Sequence, residues 1–284
     1  MKEIVVGIDF SKSSILAFQY SLKIATATGA DIKLVYVSKK RDTDSTLVKN
    51  EEGVEESVEG SFNNLIQKYQ KEIKGKISYK IHQGKIYEEI ANQAKYTDAE
   101  MIITGAHGMS GFEEFWVGNN ANKIIGYSEK PVLTIKKSYK IKSPVIEKIV
   151  IPIDSTFETT QKIPFTLKLA EYFKAQINLL SLYSSKVKNV EDRVDNNTRE
   201  AMQLIIKSGL RYINEKKECD NITRSTIDYA QKRNADLISI MTEQEFASNN
   251  VLMGSYAQQM INQSPLPVLS HKTRMIMPSS SYLE

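Results

Sequence analysis

The sequence predicts an α/β fold: two tandem open sheets of five mainly parallel strands, each flanked by helices. Three observations carry that prediction. Short apolar runs such as "EIVVGID", "DIKLVYV" and "AEMIITG" alternate with stretches of helical periodicity. Such alternation needs right-handed crossovers, which lay the strands parallel. The whole series then occurs a second time in the same chain.

In the first copy, "EIVVGID" reads as a buried strand that ends at Asp9. Residues 12 to 28 place Ile15, Phe18, Leu22 and Ala25 on one helical face, and Gly29 closes that helix. "DIKLVYV" is the second strand, and the charged, irregular residues 39 to 53 read as a loop. A long helix is expected from about residue 54 to 74, with Phe62, Leu65, Ile66 and Tyr69 on one face. "ISYKIHQ" alternates as a strand does, and residues 85 to 97 form a helix with Ile86, Ile90 and Ala94 inward. "AEMIITG" is the fourth strand, residues 119 to 128 the last helix, and "PVLTIKK" the fifth strand.

The second copy is found by register. Asp9 and Asp154 lie 145 positions apart, as do Ala25 and Ala170. Further on the offset is 136, pairing Gly118 with Gly254 and "KPVLTIKK" with "LPVLSHKT". The second copy therefore lacks nine residues, lost between its second strand and its second long helix. The domains expected are 1–142 and 143–278, with Ser143-Pro144 as punctuation. Pro164 makes the first helix of the second copy start late or kink. The counterpart of "ISYKIHQ" is hard to see in "YINEKKECDN".

Composition narrows the function. The 284 residues are 41% apolar and 25% charged, as in an ordinary soluble protein. The 38 basic and 34 acidic residues are well mixed, with no arginine-rich stripe, so nucleic acid is not an expected partner. Cys219 is the only cysteine, which fits a reducing compartment. Glu3 comes too early for a signal peptide, and no apolar run approaches the ~20 residues of a membrane helix. The expectation is a cytoplasmic protein without a membrane partner. No G-x4-G-K-[S/T] is present, which argues against a Walker-type NTPase.

The stretch "TGAHGMSGFEEFWVGNNANKII" holds Gly105, Gly108 and Gly118 beyond the end of a buried strand. Ligands of open α/β sheets bind there. Glycines let the main chain approach a ligand, successive N–H groups make an anion cradle, and a helix opening at Gly118-Asn119 adds donors. Two turns and a helix cap would use the same residues. Asp9 has two readings as well: acceptor for a ligand amino group or hydroxyl, or N-cap of the next helix.

At these residues the chain resembles the nucleotide-binding universal stress proteins. Gly105, Gly108 and Gly118 fit that family's G-x2-G-x9-G-[S/T] pattern, and "VVGIDFSKSS" and "EKPVLTIKK" fit its two ends. The likeness covers nearly the whole chain as a tandem of two such domains. It implies a five-stranded sheet of order 3-2-1-4-5 in each copy, of the adenine nucleotide alpha hydrolase-like, Rossmann-like kind. It implies ATP or another adenine nucleotide as ligand, with Mg²⁺ arriving on the phosphates. Gly7, Ile8 and Asp9 would meet the adenine or ribose end, and Val37 would cover the base. Gly105, His107 and Gly108 would line the phosphate side, and Gly118, Asn119 and Asn120 would cap it. Family domains pair their last strands, so "PVLTIKK" and "PVLSHKT" are expected to form an internal pseudo-dimer; a homodimer of chains stays open. The implied function is a stress-response protein whose nucleotide changes its contacts with a protein partner. The alternative is an interaction scaffold of the same fold without nucleotide. No catalytic residue stands out, and slow ATP hydrolysis is the most the sequence allows.

The chain departs from the family pattern in several places. Asn119 replaces the serine or threonine, and Glu113 and Glu114 bring negative charge beside the glycines. Lys123 offsets that charge or is simply solvated. Phe112, Phe115 and Trp116 are expected to pack the loop onto the domain. The second copy keeps Asp154 and Gly254-Ser255, but carries Met241 and Gln244 in place of Gly105 and Gly108, with Glu243 and Glu245 alongside. It is expected to retain the scaffold and to have lost the phosphate loop.

Overall fold

The computed structural model describes residues 1–38, 47–49, 55–106, 119–242, 244–247 and 250–273. The first half runs β1 (Glu3–Gly7), α1 (Lys12–Thr28), β2 (Asp31–Ser38), β3 (Leu47–Lys49), β4 (Glu55–Ser57), α2 (Val58–Tyr69), β5 (Ile77–Gln83), α3 (Ile86–Lys95), β6 (Ala99–Gly105), α4 (Asn119–Tyr127) and β7 (Val132–Ile135). The second runs β8 (Lys148–Ile153), α5 (Ile163–Phe173), β9 (Gln176–Tyr183), α6 (Lys188–Ser208), β10 (Tyr212–Glu218), α7 (Ile222–Lys232), β11 (Leu237–Thr242), β12 (Gln244–Ala247), β13 (Asn250–Met253), α8 (Ser255–Gln263) and β14 (Val268–Lys272).

Ten strands form one sheet, in the order β10-β9-β8-β11-β14-β7-β6-β1-β2-β5. Each half contributes five parallel strands in the order 3-2-1-4-5 of its own sheet strands. The halves join where β14 runs antiparallel to β7, with Leu269 opposite Leu133 and Val268 opposite Thr134. "PVLTIKK" and "PVLSHKT" thus pair within the chain, edge to edge in a single sheet rather than as stacked layers.

Both faces of this sheet are covered, which is why its central strands are apolar throughout. One core packs α1, α2, α5 and α6 around Phe18, Phe62, Leu167 and Ile205. The other packs α3, α4, α7 and α8 around Ile90, Ile124, Ile227 and Met260. Helix α1 spans the predicted residues, with Ser11 as N-cap and Gly29 at φ 73° as the left-handed C-cap. Phe18, Leu22 and Ala25 are buried and Ile15 half-buried, as the periodicity requires.

The structure corrects the sequence reading at some points and bears it out at others. The supposed loop over 39 to 53 contains β3, which pairs with β4 as a short hairpin. Helix α2 starts at Val58 because Ser57 caps it, accepting from the Gly60 N–H at 3.1 Å. In the second half only residues 184–187 separate β9 from α6, so the missing residues are those of the β3–β4 insertion. The strand that could not be read is β10, Tyr212–Glu218. It lies at the open edge of the sheet, where alternating charges protect it from further pairing. Pro164 stands in the first turn of α5, which begins at Ile163. The hairpin β12–β13 of the second half lies against α4 of the first.

Candidate functional site

The carboxyl ends of β1 and β6 meet where the connections from the first half's central strands diverge to opposite sides, the place where open sheets hold ligands. Gly7, Ile8 and Asp9 leave β1 at this point. A Cβ on Gly7 would stand 2.9 Å from Ile90 Cδ1, so its bareness serves the packing of α3. Ile8 is buried, and its N–H donates to the Val35 carbonyl at 2.9 Å. Val37 is buried in the same core as Ile90. Phe10 follows with φ 61°, a strained left-handed conformation for a side chain of this size. Its ring is seated 5.0 Å from Phe62 and 6.1 Å from Tyr36. That turn leaves Asp9 half-buried at the surface of the sheet end.

Asp9 is not the N-cap of α1. Ser11 holds that position, accepting from the Ser14 N–H at 3.2 Å, because the Phe10 turn carries Asp9 out of capping reach. Asp9 Oδ1 instead accepts from the Ser11 N–H at 3.0 Å, and the Asp9 N–H donates to Ser14 Oγ at 3.2 Å. The carboxylate is fixed in orientation at the mouth of the half. Its field, with burial as the larger cause, pushes the Tyr36 hydroxyl above its ordinary pKa.

Gly105 has a different reason from the one expected. A Cβ there would lie 2.0 Å from Ser13 Oγ and 2.8 Å from the Ser13 carbonyl carbon. The glycine admits the first turn of α1 against β6, and a ligand is not what fills that space. The next N–H, of Ala106, donates to the Ile135 carbonyl at 2.8 Å and belongs to the sheet. Any anion cradle therefore starts after Ala106. His107, Gly108 and Gly118 lie outside the described residues, as do Phe112, Glu113, Glu114, Phe115 and Trp116. Asn119 is the first residue of α4 rather than its cap, and Asn120 is exposed. Lys123 stands 5.2 Å from the centre of the Tyr87 ring, a cation–π contact on the outer surface of α3 and α4.

The second half opens differently. Helix α1 begins at Lys12, whose counterpart 145 positions on is residue 157, yet α5 begins only at Ile163. The turn missing from α5 is the one Gly105 makes room for in the first half, so Met241 fits, 6% exposed. Lys162, 2% exposed, closes the gap: its ammonium donates to the Thr159 carbonyl and, at 3.0 Å, to Thr159 Oγ1. Burial lowers it from the ordinary 10.5 to about 8, against the pull of Asp154. Beside it, His271 Nε2 lies 3.1 Å from Ser239 Oγ, which lies 2.7 Å from Thr166 Oγ1. Burial, then Lys162, brings His271 down to about 3.

Sequence reading missed one feature of this half, a cleft of about 350 Å³ at the carboxyl ends of its strands. Asp154, Thr156, Asp220, Asn221, Ser255 and Gln259 are among its walls. The signal was present in "CDNIT": Asn221 caps α7, accepting from the Arg224 N–H at 2.8 Å, and so marks a strand-to-helix mouth.

Two outcomes follow from this geometry. Gly105→Ala should lower the free energy of urea unfolding by about 1–3 kcal/mol, the range for overpacking a close contact. An unchanged midpoint would show that Ser13 does not set that contact. For Lys162, the folded chain releases a proton between pH 8 and 10.5 that the unfolded chain keeps, so stability from this group rises with pH. The stability of wild type minus that of Lys162→Met should therefore climb between pH 7.5 and 10; a flat or falling difference contradicts the buried ammonium.

The family model "Universal stress protein family" matches residues 1–136. Universal stress protein MJ0577 of Methanocaldococcus jannaschii is 29% identical over 155 residues, covering 48% of this chain and 95% of its own. A universal stress protein from Archaeoglobus fulgidus superposes with a TM-score of 0.66 at 13% identity, over 95% of this chain and 98% of its own. A functionally unknown protein, PA1789 from Pseudomonas aeruginosa, gives 0.68 at 18% identity, over 96% and 93%. The last two likenesses concern the fold of both halves together, while the family match rests on the first half. On these grounds the first half of the chain, residues 1–136, is similar to the universal stress protein family, and the two halves together share the fold of its solved members.

Proposed function

We propose that the chain binds one adenine nucleotide, ATP or a relative of it, at the mouth of its first half, and that the bound nucleotide alters its contacts with a protein partner. One observation carries the reading: a family-matched half holds the half-buried, oriented carboxylate of Asp9 beside the end of β6 at the sheet's switch point. A carboxylate so placed accepts from a ribose hydroxyl or an adenine amino group. The glycine spacing and the helix N-terminus at Asn119 suit the phosphates. Among the described residues no group of three or more acids, histidines or cysteines could hold a metal, so Mg²⁺ would ride on phosphate oxygens.

The same fold without nucleotide, an interaction scaffold, is the second reading. It draws support from Gly105, whose space is taken by Ser13, and from the Ala106 N–H, which is already bonded. A cytoplasmic location is part of the proposal, in keeping with the single cysteine. Among the described residues, no helix is long and apolar enough to cross a membrane.

Calorimetric titration of the full chain with ATP separates the readings. The expected result is one site per chain, weakened at least tenfold by Asp9→Ala, which is the loss of about 1.4 kcal/mol or more for a hydrogen bond to a charged group. No heat with ATP, ADP or AMP favours the scaffold.

A further inference from the structure

The cleft of the second half has a chemistry of its own. Its walls come from the turn after β8, the residue after β9, the start of α7 and the start of α8. They present the carboxylates of Asp154 and Asp220, the hydroxyls of Thr156 and Ser255 and the amides of Asn221 and Gln259. Among the described residues, no lysine, arginine or histidine lines it. The first cation after the Asp154 turn, Lys162, is buried behind the wall with its ammonium given to Thr159.

These walls are built rather than incidental. Asn197 on α6 donates through Nδ2 to the Asp154 carbonyl at 2.8 Å and the Thr156 carbonyl at 3.0 Å. Asp154 Oδ1 takes the Thr156 N–H at 2.9 Å and the Thr156 hydroxyl at 2.6 Å. That leaves Oδ2 for a ligand. On the far side, Thr223 Oγ1 donates to Gln259 Oε1 at 3.3 Å and ties α7 to α8. Asp220 is exposed and has no ion-pair partner among the described residues.

Charge decides what such a cleft accepts. Two helix N-termini contribute about +0.5 each. Two aspartates contribute a formal −1 each, and Lys162, close enough to Asp154 to feel its field, contributes +1, so the balance is about zero and the cleft offers a phosphate no net attraction. Hydroxyl groups are favoured instead, because carboxylates accept from them in charge-assisted bonds and amide N–H groups donate to them. Tyr256 and Ile222 add apolar surface to the same walls. A cleft of about 350 Å³ sits at the small end of small-molecule sites.

We propose that the second half binds an uncharged, polyhydroxylated ligand of the monosaccharide class, held between Asp154 and Asp220. The second copy has thus changed its ligand chemistry along with its phosphate loop. This site is independent of the nucleotide proposed for the first half, and its test does not depend on it.

Saturation-transfer difference NMR on the full chain, with millimolar D-glucose and D-galactose as probes, reads the site directly. The proposal expects transfer to at least one sugar, reduced fivefold or more by Asp154→Asn and by Asp220→Asn. Added inorganic pyrophosphate should not displace the sugar. Circular dichroism checks each variant, and Asp220→Asn, on exposed surface, keeps the test usable should Asp154→Asn misfold. The proposal is overturned by no transfer to either sugar, by transfer that survives the Asp220 change, or by displacement with pyrophosphate.

Discussion

The antiparallel pairing of β7 with β14 is the contact on which the architecture depends. Each half would otherwise end in a strand with unpaired N–H and C=O groups, an invitation to association. Joining the two edges satisfies both and turns ten strands into one sheet. It also imposes an internal twofold that reaches the side chains. Lys168 of the second half pairs with Glu100 of the first, whose other oxygen accepts from the Lys2 N–H at 2.8 Å. The counterpart positions are Lys23 and Asp236, and Asp236 accepts from the Glu147 N–H at 2.8 Å. Asp236 holds up the charge of Lys23, although burial is the stronger influence and lowers that lysine's pKa. Each half thus offers an acid to a lysine on the other's first helix.

Within that shared frame the two mouths diverge through one turn of helix. Where α1 begins at Lys12, β6 must end in a glycine, because Ser13 occupies the space of a side chain. Where α5 begins late, Met241 is admitted and Lys162 fills the remaining volume from within. Polar groups follow the same divergence: Ile103 and Ile135 of the first half correspond to Ser239 and His271 of the second, which bond to each other at 3.1 Å. The late helix start also shapes the second mouth. It lengthens the turn after Asp154, and Asn197 on the long α6 then holds that turn in place.

Much of this was legible in the sequence, for physical reasons that can be named. Helix α1 was readable because its apolar period, its cap and its closing glycine agree. The repeat was readable because buried strands tolerate little change, so Asp9 and Asp154 stay in register across 145 positions. The edge strand β10 was not, since a strand half exposed to water has no apolar alternation to show. The β3–β4 hairpin was hidden by charged residues that satisfy a surface ribbon as well as a loop. At the mouth, Asp9 was found by its place at a strand end, but the sequence could not exclude it as the helix cap because the Phe10 turn leaves no sequence signal. Gly105 was noticed for a ligand and is required by Ser13, a contact 92 residues away that no local pattern encodes.

The proposal rests at its centre on an asymmetry: a nucleotide held at the mouth of the first half and none at that of the second. Native mass spectrometry of the full chain with excess ATP and Mg²⁺ tests it most directly. The predicted spectrum shows one nucleotide per chain at saturation, retained in Asp154→Asn and lost in Asp9→Ala. Two nucleotides per chain of equal affinity, or a single one lost in Asp154→Asn and kept in Asp9→Ala, would contradict the account.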